Sequence, residues 1–159
     1  MKVRTFGQMP DEPALHLQIQ FVIMVQTSIF ASFKNYLGDS SLVKVLTDIR
    51  EGRYEPPVLE LRKKLSDGDK DGAEQIKKGL PSATYKGRRT KAHLTGYNPL
   101  LILDLDGLQP GRIDGLKLLI EGEPYTVACF RSPSGNGLKA IAWNATGLPL
   151  DPANHRKGY

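Results

Sequence analysis

Two stretches of this chain carry side chains whose type and spacing suit phosphate chemistry. In the first, Leu100-Leu101-Ile102-Leu103-Asp104-Leu105-Asp106-Gly107-Leu108, four aliphatic residues run into an Asp-x-Asp pair and the run breaks at glycine. A short apolar run bounded by turn residues reads as a buried strand. Side chains two apart on a strand share a face, so Asp104 and Asp106 are expected to project together from its end. Neighbouring carboxylates repel, and burying either is costly unless a cation or donor offsets the charge. A divalent ion with oxygen ligands, Mg²⁺ or Mn²⁺, answers that need. The competing reading is a strand end entering solvent, with the acids capping the next turn.

The second stretch is Arg131-Ser132-Pro133-Ser134-Gly135-Asn136-Gly137-Leu138-Lys139. Two glycines and two serines in a tight strand-to-strand turn can aim several backbone N–H groups at one anion. Ser132 and Ser134 add hydroxyl donors, and Lys139 supplies a point charge. The spacing is not that of a Walker loop. Ordinary hairpin chemistry would use the same residue types. A third segment, Lys86-Gly87-Arg88-Arg89-Thr90-Lys91-Ala92-His93, packs four cationic side chains around one glycine. It has no apolar period and reads as an exposed loop or hairpin. Lys86, Arg88, Arg89 and Lys91 are candidates for gripping a nucleic-acid backbone; a solvated loop is the plainer alternative.

The elements that must position these groups follow from periodicity. One strand–helix–strand passage separates the acidic pair from the Ser/Gly turn, which is what is needed to bring both to one end of one sheet. Ile113 to Glu121 predicts a helix with Leu116, Leu119 and Ile120 inward. Tyr125 to Phe130 and Leu138 to Trp143 predict strands. Upstream, Leu15, Leu17, Ile19, Phe21, Ile23 and Val25 alternate with His16, Gln18 and Gln20 and predict a half-buried strand, with Met24 packed. Ser40-Ser41 offers an N-cap to a helix carrying Leu42, Val43, Val45, Leu46 and Ile49, stopped near Gly52. A second helix starts at Pro56-Pro57 with Val58, Leu59, Leu61 and Leu65 buried, and Asp69 to Lys78 predicts a third. Lys77 and Lys78 suit its C-terminus. Residues 1–13 read as a loose leader, and 14–159 as one domain.

The chain has 159 residues, 22 Lys+Arg and 17 Asp+Glu, a formal charge of +5. That length buries a real core without disulfides, and the charge mildly favours a polyanionic partner. The single cysteine, Cys129, excludes an internal disulfide and a multi-cysteine zinc site. It lies in an apolar strand and is expected to be a buried thiol. The apolar run from Phe21 to Val25 is too short to span a bilayer. Together these features suggest a cytoplasmic protein without membrane attachment.

The segments Leu101-Ile-Leu-Asp104-Leu-Asp106 and Phe130-Arg-Ser-Pro-Ser-Gly-Asn-Gly-Leu-Lys139, in that order, resemble the N-terminal domain of virulence-associated-E-type proteins of Bacteroidetes and their mobile elements. That group is similar to the archaeo-eukaryotic primase (primase-polymerase) superfamily. Thr27-Ser-Ile-Phe30, Ile49-Arg-Glu-Gly52, Leu61-Arg62 and Lys77-Lys-Gly-Leu80-Pro81-Ser-Ala-Thr84 extend the resemblance to about Phe21 to Trp143. It implies an α+β (mixed α/β) fold. Its centre would be a mostly antiparallel sheet of RRM-like kind, beside an N-terminal helical and strand module. It implies that Asp104 and Asp106 are metal ligands and catalytic. Ser132, Ser134, Gly135, Gly137 and Lys139 would contact the phosphates of a nucleoside triphosphate. Many superfamily members carry histidine near the place of Lys139, so the lysine would hold phosphate by different chemistry. A third acidic motif expected on a later strand is not found. Asp151 falls in a Leu-Asp-Pro turn, and the chain ends near His155, where another helix would begin. The domain is therefore expected to be incomplete at its C-terminus.

The expectation is a nucleotide- and nucleic-acid-binding domain of a mobile-element replication protein. It would perform metal-dependent nucleotidyl transfer on DNA or RNA if completed downstream. The alternative is a non-catalytic nucleic-acid-binding module attached to a helicase-type partner. Asp104-Leu-Asp106-Gly107 also resembles the nucleophile motif of haloacid-dehalogenase-type phosphatases. About a hundred residues precede it, however, and too little chain follows for that enzyme's other groups.

Overall fold

The computed structural model describes residues 24–32, 35–76 and 83–144. The leader, most of the expected strand over Leu15 to Val25, His16, Lys77, Lys78, Asp151 and His155 lie outside these residues. The described part is an α+β assembly of four α-helices and three small antiparallel sheets.

The sheet that matters for the site has three strands, β5 (Leu100–Leu105), β6 (Thr126–Arg131) and β7 (Leu138–Trp143), in the order β5-β7-β6. Both outer strands run antiparallel to β7, so they are parallel to each other. Parallel strands need a crossover, supplied by helix α4 (Pro110–Gly122). The chain then turns back at Ser132–Gly137 and inserts β7 between the pair, a split β-α-β unit. β7 sits in the middle because Leu138-Lys-Ala-Ile-Ala-Trp143 is apolar on both faces, with Leu138, Ala140 and Ile141 buried.

Each face of the sheet has its own cluster. On one, Ile113 of α4 packs with Cys129, Leu138 and Ala140, flanked by Leu105, Leu108, Leu116 and Ile120. Proline begins α4, where its missing N–H costs no hydrogen bond. On the other face Val25 and Leu42 pack with Leu100 and Ile141, flanked by Leu46, Val127, Ala128, Phe130 and Trp143. Leu42 and Leu46 come from α1 (Leu42–Arg50), whose N-cap Ser41 accepts from the Lys44 N–H.

Two hairpins and two helices complete the fold. β1 (Gln26–Ser32) pairs with β2 (Asn35–Ser41). β3 (Ala83–Tyr85) pairs with β4 (Leu94–Tyr97). The hairpins are joined through Ser28, whose Oγ donates to Asp39 (2.6 Å) and accepts from the Tyr85 N–H (2.8 Å). Phe30 is fully buried and meets the rings of Tyr36 and Tyr85. α2 (Glu55–Ser66) and α3 (Lys70–Ile76) follow α1.

Four expectations need correction. Val25 precedes the first described strand, which begins at Gln26, and Met24 is exposed rather than packed. Leu59 and Leu65 of α2 are exposed, and Leu61 is the buried leucine. At about 100° per residue, Leu59 falls nearly opposite Leu61. Leu119 of α4 points outward for the same geometric reason, being about 120° round the helix from Ile113. The β1–β2 hairpin was not anticipated.

Candidate functional site

The site gathers at the end of β5. Asp104 stands directly opposite Lys139 of β7, and Lys139 Nζ lies 2.5 Å from Asp104 Oδ2. The two side chains are 48% and 31% exposed, so this is a half-solvated cross-strand ion pair. Phe130 of β6 is Lys139's partner on its other side. The lysine stem therefore runs between an aromatic neighbour and the carboxylate that holds its head.

One step further out, the last registered pair is Leu105 with Leu138, which puts Asp106 against Gly137. The approach is close. A Cβ at residue 137 would lie 2.4 Å from the Leu105 carbonyl oxygen, 3.1 Å from Asp106 Oδ1 and 3.2 Å from Ser132 Oγ. Only glycine lets the turn lie this near the acidic strand end. The Leu108 N–H also donates to the Asn136 carbonyl at 2.8 Å, stitching the turn to the segment that follows Asp106. The strand end and the Ser/Gly turn, well separated in sequence, are thus one surface.

Within the turn, Ser132 N–H donates to the Gly137 carbonyl and Gly135 N–H to the Ser132 carbonyl, both at 2.9 Å. Gly135 has φ +87°, a left-handed conformation that favours glycine. Ser132 is 2% exposed, with its Oγ 3.0 Å from Ser134 Oγ, so its hydroxyl braces the turn from inside. Ser134 Oγ donates to Asn136 Oδ1 at 2.6 Å. The hydroxyls read from sequence as anion donors are engaged with the turn itself. The main-chain N–H groups of Ser134, Asn136 and Gly137 have no protein acceptor among the described residues.

A residue that motif reasoning gave no role joins the turn from α2. Arg62 Nε donates to the Pro133 carbonyl at 3.0 Å, across 71 residues of sequence. A Cβ at Gly135 would lie 3.4 Å from Nε and 3.7 Å from Cζ, so the guanidinium lies along the turn's backbone. In the sequence, Leu61-Arg62 stands out only through the family resemblance. No local spacing could have announced a contact this distant.

The basic segment is the loop of the β3–β4 hairpin, on a sheet separate from β5-β7-β6. Lys86, Arg88, Arg89 and Lys91 are exposed. The loop is ordered by the Lys86 N–H on the His93 carbonyl (2.8 Å) and by a 2.7 Å contact between Thr90 Oγ1 and His93 Nδ1. Just beyond Asp106, a groove of about 530 Å³ is lined by Gly107, Leu108, Gln109, Arg112 and residues of α4.

Asp104 and Asp106 offer hard oxygen donors at a solvent-accessible edge, chemistry that suits Mg²⁺ or Mn²⁺. Among the described residues no group of three or more His, Cys, Asp or Glu side chains forms a metal site. Also among them, no helix is long and apolar enough to cross a membrane.

An α+β domain with a split β-α-β sheet and its polar groups at the β5–turn edge is the class defined by fold and site. Residues 73–149, just under half of the chain, match the model of the family described as BT4734-like, N-terminal domain. The matched stretch contains the basic hairpin, the acidic strand end, the Ser/Gly turn and Lys139, and excludes Arg62. No curated protein and no solved structure matches the chain.

Proposed function

We propose that this chain carries the nucleotide-binding pole of a primase-polymerase-like domain, acting on the triphosphate of an incoming nucleotide with a nucleic acid as the second partner. The observation that carries the reading is the meeting of Asp104 and Asp106 with the Ser132–Gly137 turn and Lys139. Carboxylates that favour a divalent ion and backbone N–H groups that favour an anion share one edge. That is the pairing that phosphoryl and nucleotidyl transfer require.

In this reading Asp104 and Asp106 hold Mg²⁺ or Mn²⁺, which when bound neutralises phosphate charge and orients the nucleophile. The turn's N–H groups and Lys139 receive the phosphates. Gly137 keeps the turn within reach of Asp106, and Ser132 keeps the turn in shape. Arg88, Arg89, Lys86 and Lys91 form a second, exposed cationic surface for the nucleic-acid backbone, whether DNA or RNA. The family resemblance to virulence-associated-E-type proteins supports a role in mobile-element replication beside a helicase-type partner.

A second reading, a non-catalytic nucleic-acid-binding module, is favoured by one observation: among the described residues the acidic pair has no third carboxylate beside it. Titration with Mn²⁺, alone and with a nucleoside triphosphate, separates the possibilities. Saturable binding of both that is lost in the Asp104→Ala, Asp106→Ala double variant supports the site. Unchanged affinities in the double variant refute it. Nucleotide binding without primer extension on any template selects the non-catalytic reading.

A further inference from the structure

We infer that Arg62 is a phosphate-recognition residue, the clamp by which α2 closes the anion-binding turn over the terminal phosphates of a nucleoside di- or triphosphate. The inference rests on the nucleotide-binding reading above and adds to it a ligand contact from outside the family-matched stretch.

Three observations carry it. First, the guanidinium is tethered by one bond, Nε to the Pro133 carbonyl. A guanidinium has five N–H donors in a fixed fork, so this contact orients the group while leaving the terminal Nη pair available. Second, the two cations at the turn differ in state. Lys139 is held by Asp104, whereas among the described residues Arg62 has no carboxylate partner. Of these two cations, Arg62 is the one whose charge no carboxylate among the described residues offsets. Third, that charge lies against the backbone of Gly135, on the turn whose Asn136 and Gly137 N–H groups have no protein acceptor among the described residues. A planar fork beside backbone donors is the geometry that binds phosphate oxygens two at a time, and a lysine cannot reproduce it.

A purely structural role is the alternative, with Arg62 serving only to fasten α2 to the turn. Glutamine can still donate to the Pro133 carbonyl but has no charge and no fork, so Arg62→Gln distinguishes the two. Binding of a nucleoside triphosphate and of the corresponding nucleoside would be measured for wild type, Arg62→Ala, Arg62→Gln and Arg62→Lys, together with Mn²⁺ affinity and thermal unfolding. The expected result is a triphosphate affinity about ten- to a hundredfold lower in both Ala and Gln variants, and an intermediate loss in Lys. Nucleoside and Mn²⁺ affinities should stay at wild-type level. Wild-type triphosphate affinity in Arg62→Gln overturns the inference and leaves the nucleotide-binding reading intact. A wild-type protein that binds no triphosphate overturns both.

Discussion

Replacing Gly137 with alanine tests whether the turn and the acidic strand form one unit. The added Cβ would sit 2.4 Å from the backbone oxygen of Leu105. Ordinary van der Waals contact begins near 3.4 Å, so the turn must retreat by about 1 Å from a wall that is itself backbone. That retreat stretches the 2.8 Å bond from Leu108 to Asn136 and the 2.9 Å bond from Ser132 to Gly137. Overpacking of this kind costs about 1–3 kcal/mol. In a chain of this size each kcal/mol moves Tm by about 2–4 °C, so the expected fall is about 2–12 °C. Gly115 is the control: it lies inside α4 with open space around the Cβ position, and alanine there should raise stability by about 0.5–1 kcal/mol. Calorimetry or circular dichroism melts read both signs, and Mn²⁺ titration follows Asp106. If Gly137→Ala melts with wild type and binds metal equally well, the turn does not lie against β5, and the reasoning about the site fails with it.

Two further outcomes follow. Binding of single-stranded or duplex nucleic acid should weaken with salt, and Arg88→Ala with Lys91→Ala should flatten the log-affinity against log-salt slope by about 0.7–0.9 for each phosphate that is no longer neutralised; a slope that does not change assigns those charges to solvent. Burial, and secondarily the charge of Glu121, pushes the Cys129 thiol above its ordinary value of 9.0, with Lys117 opposing. The thiol should therefore resist alkylation at pH 8 until denaturant is added. Because the folded pKa is raised, its stabilising contribution is fully present below about pH 9 and is lost as pH rises through the folded value. Cys129→Ala should show a shallower alkaline decline in Tm, and equal slopes would refute this.

Much of the fold can be read from local pattern. Leu138-Lys-Ala-Ile-Ala-Trp143 is the strand its composition predicts, Ser41 caps α1, and the prolines open α2 within a residue of their expected start. The β1–β2 hairpin escapes such reading because its buried residues include Thr27 and Ser28, and Asn35-Tyr-Leu-Gly-Asp-Ser-Ser41 has no apolar alternation. The site divides in the same way. The meeting of Asp104, Asp106 and the Ser/Gly turn follows from one strand–helix–strand passage. The partnership of Asp104 with Lys139 depends on strand register, which composition does not specify. The burial of Ser132 and the reach of Arg62 to Pro133 depend on long-range packing, where no sequence period operates.

The Asp104–Lys139 pair gives the proposed site a thermodynamic linkage between its two classes of ligand. In this structure the carboxylate's counter-ion is the protein's own ammonium group. A divalent cation arriving at Asp104 competes with that internal counter-ion, and the lysine it displaces becomes a cation in search of an anion. An anion that draws Lys139 away likewise leaves Asp104 more receptive to a cation. Each ligand must then raise the affinity for the other by the same factor. Being half exposed, the pair itself is worth about 0–1 kcal/mol to folding, so its exchange of partners leaves the scaffold largely untouched.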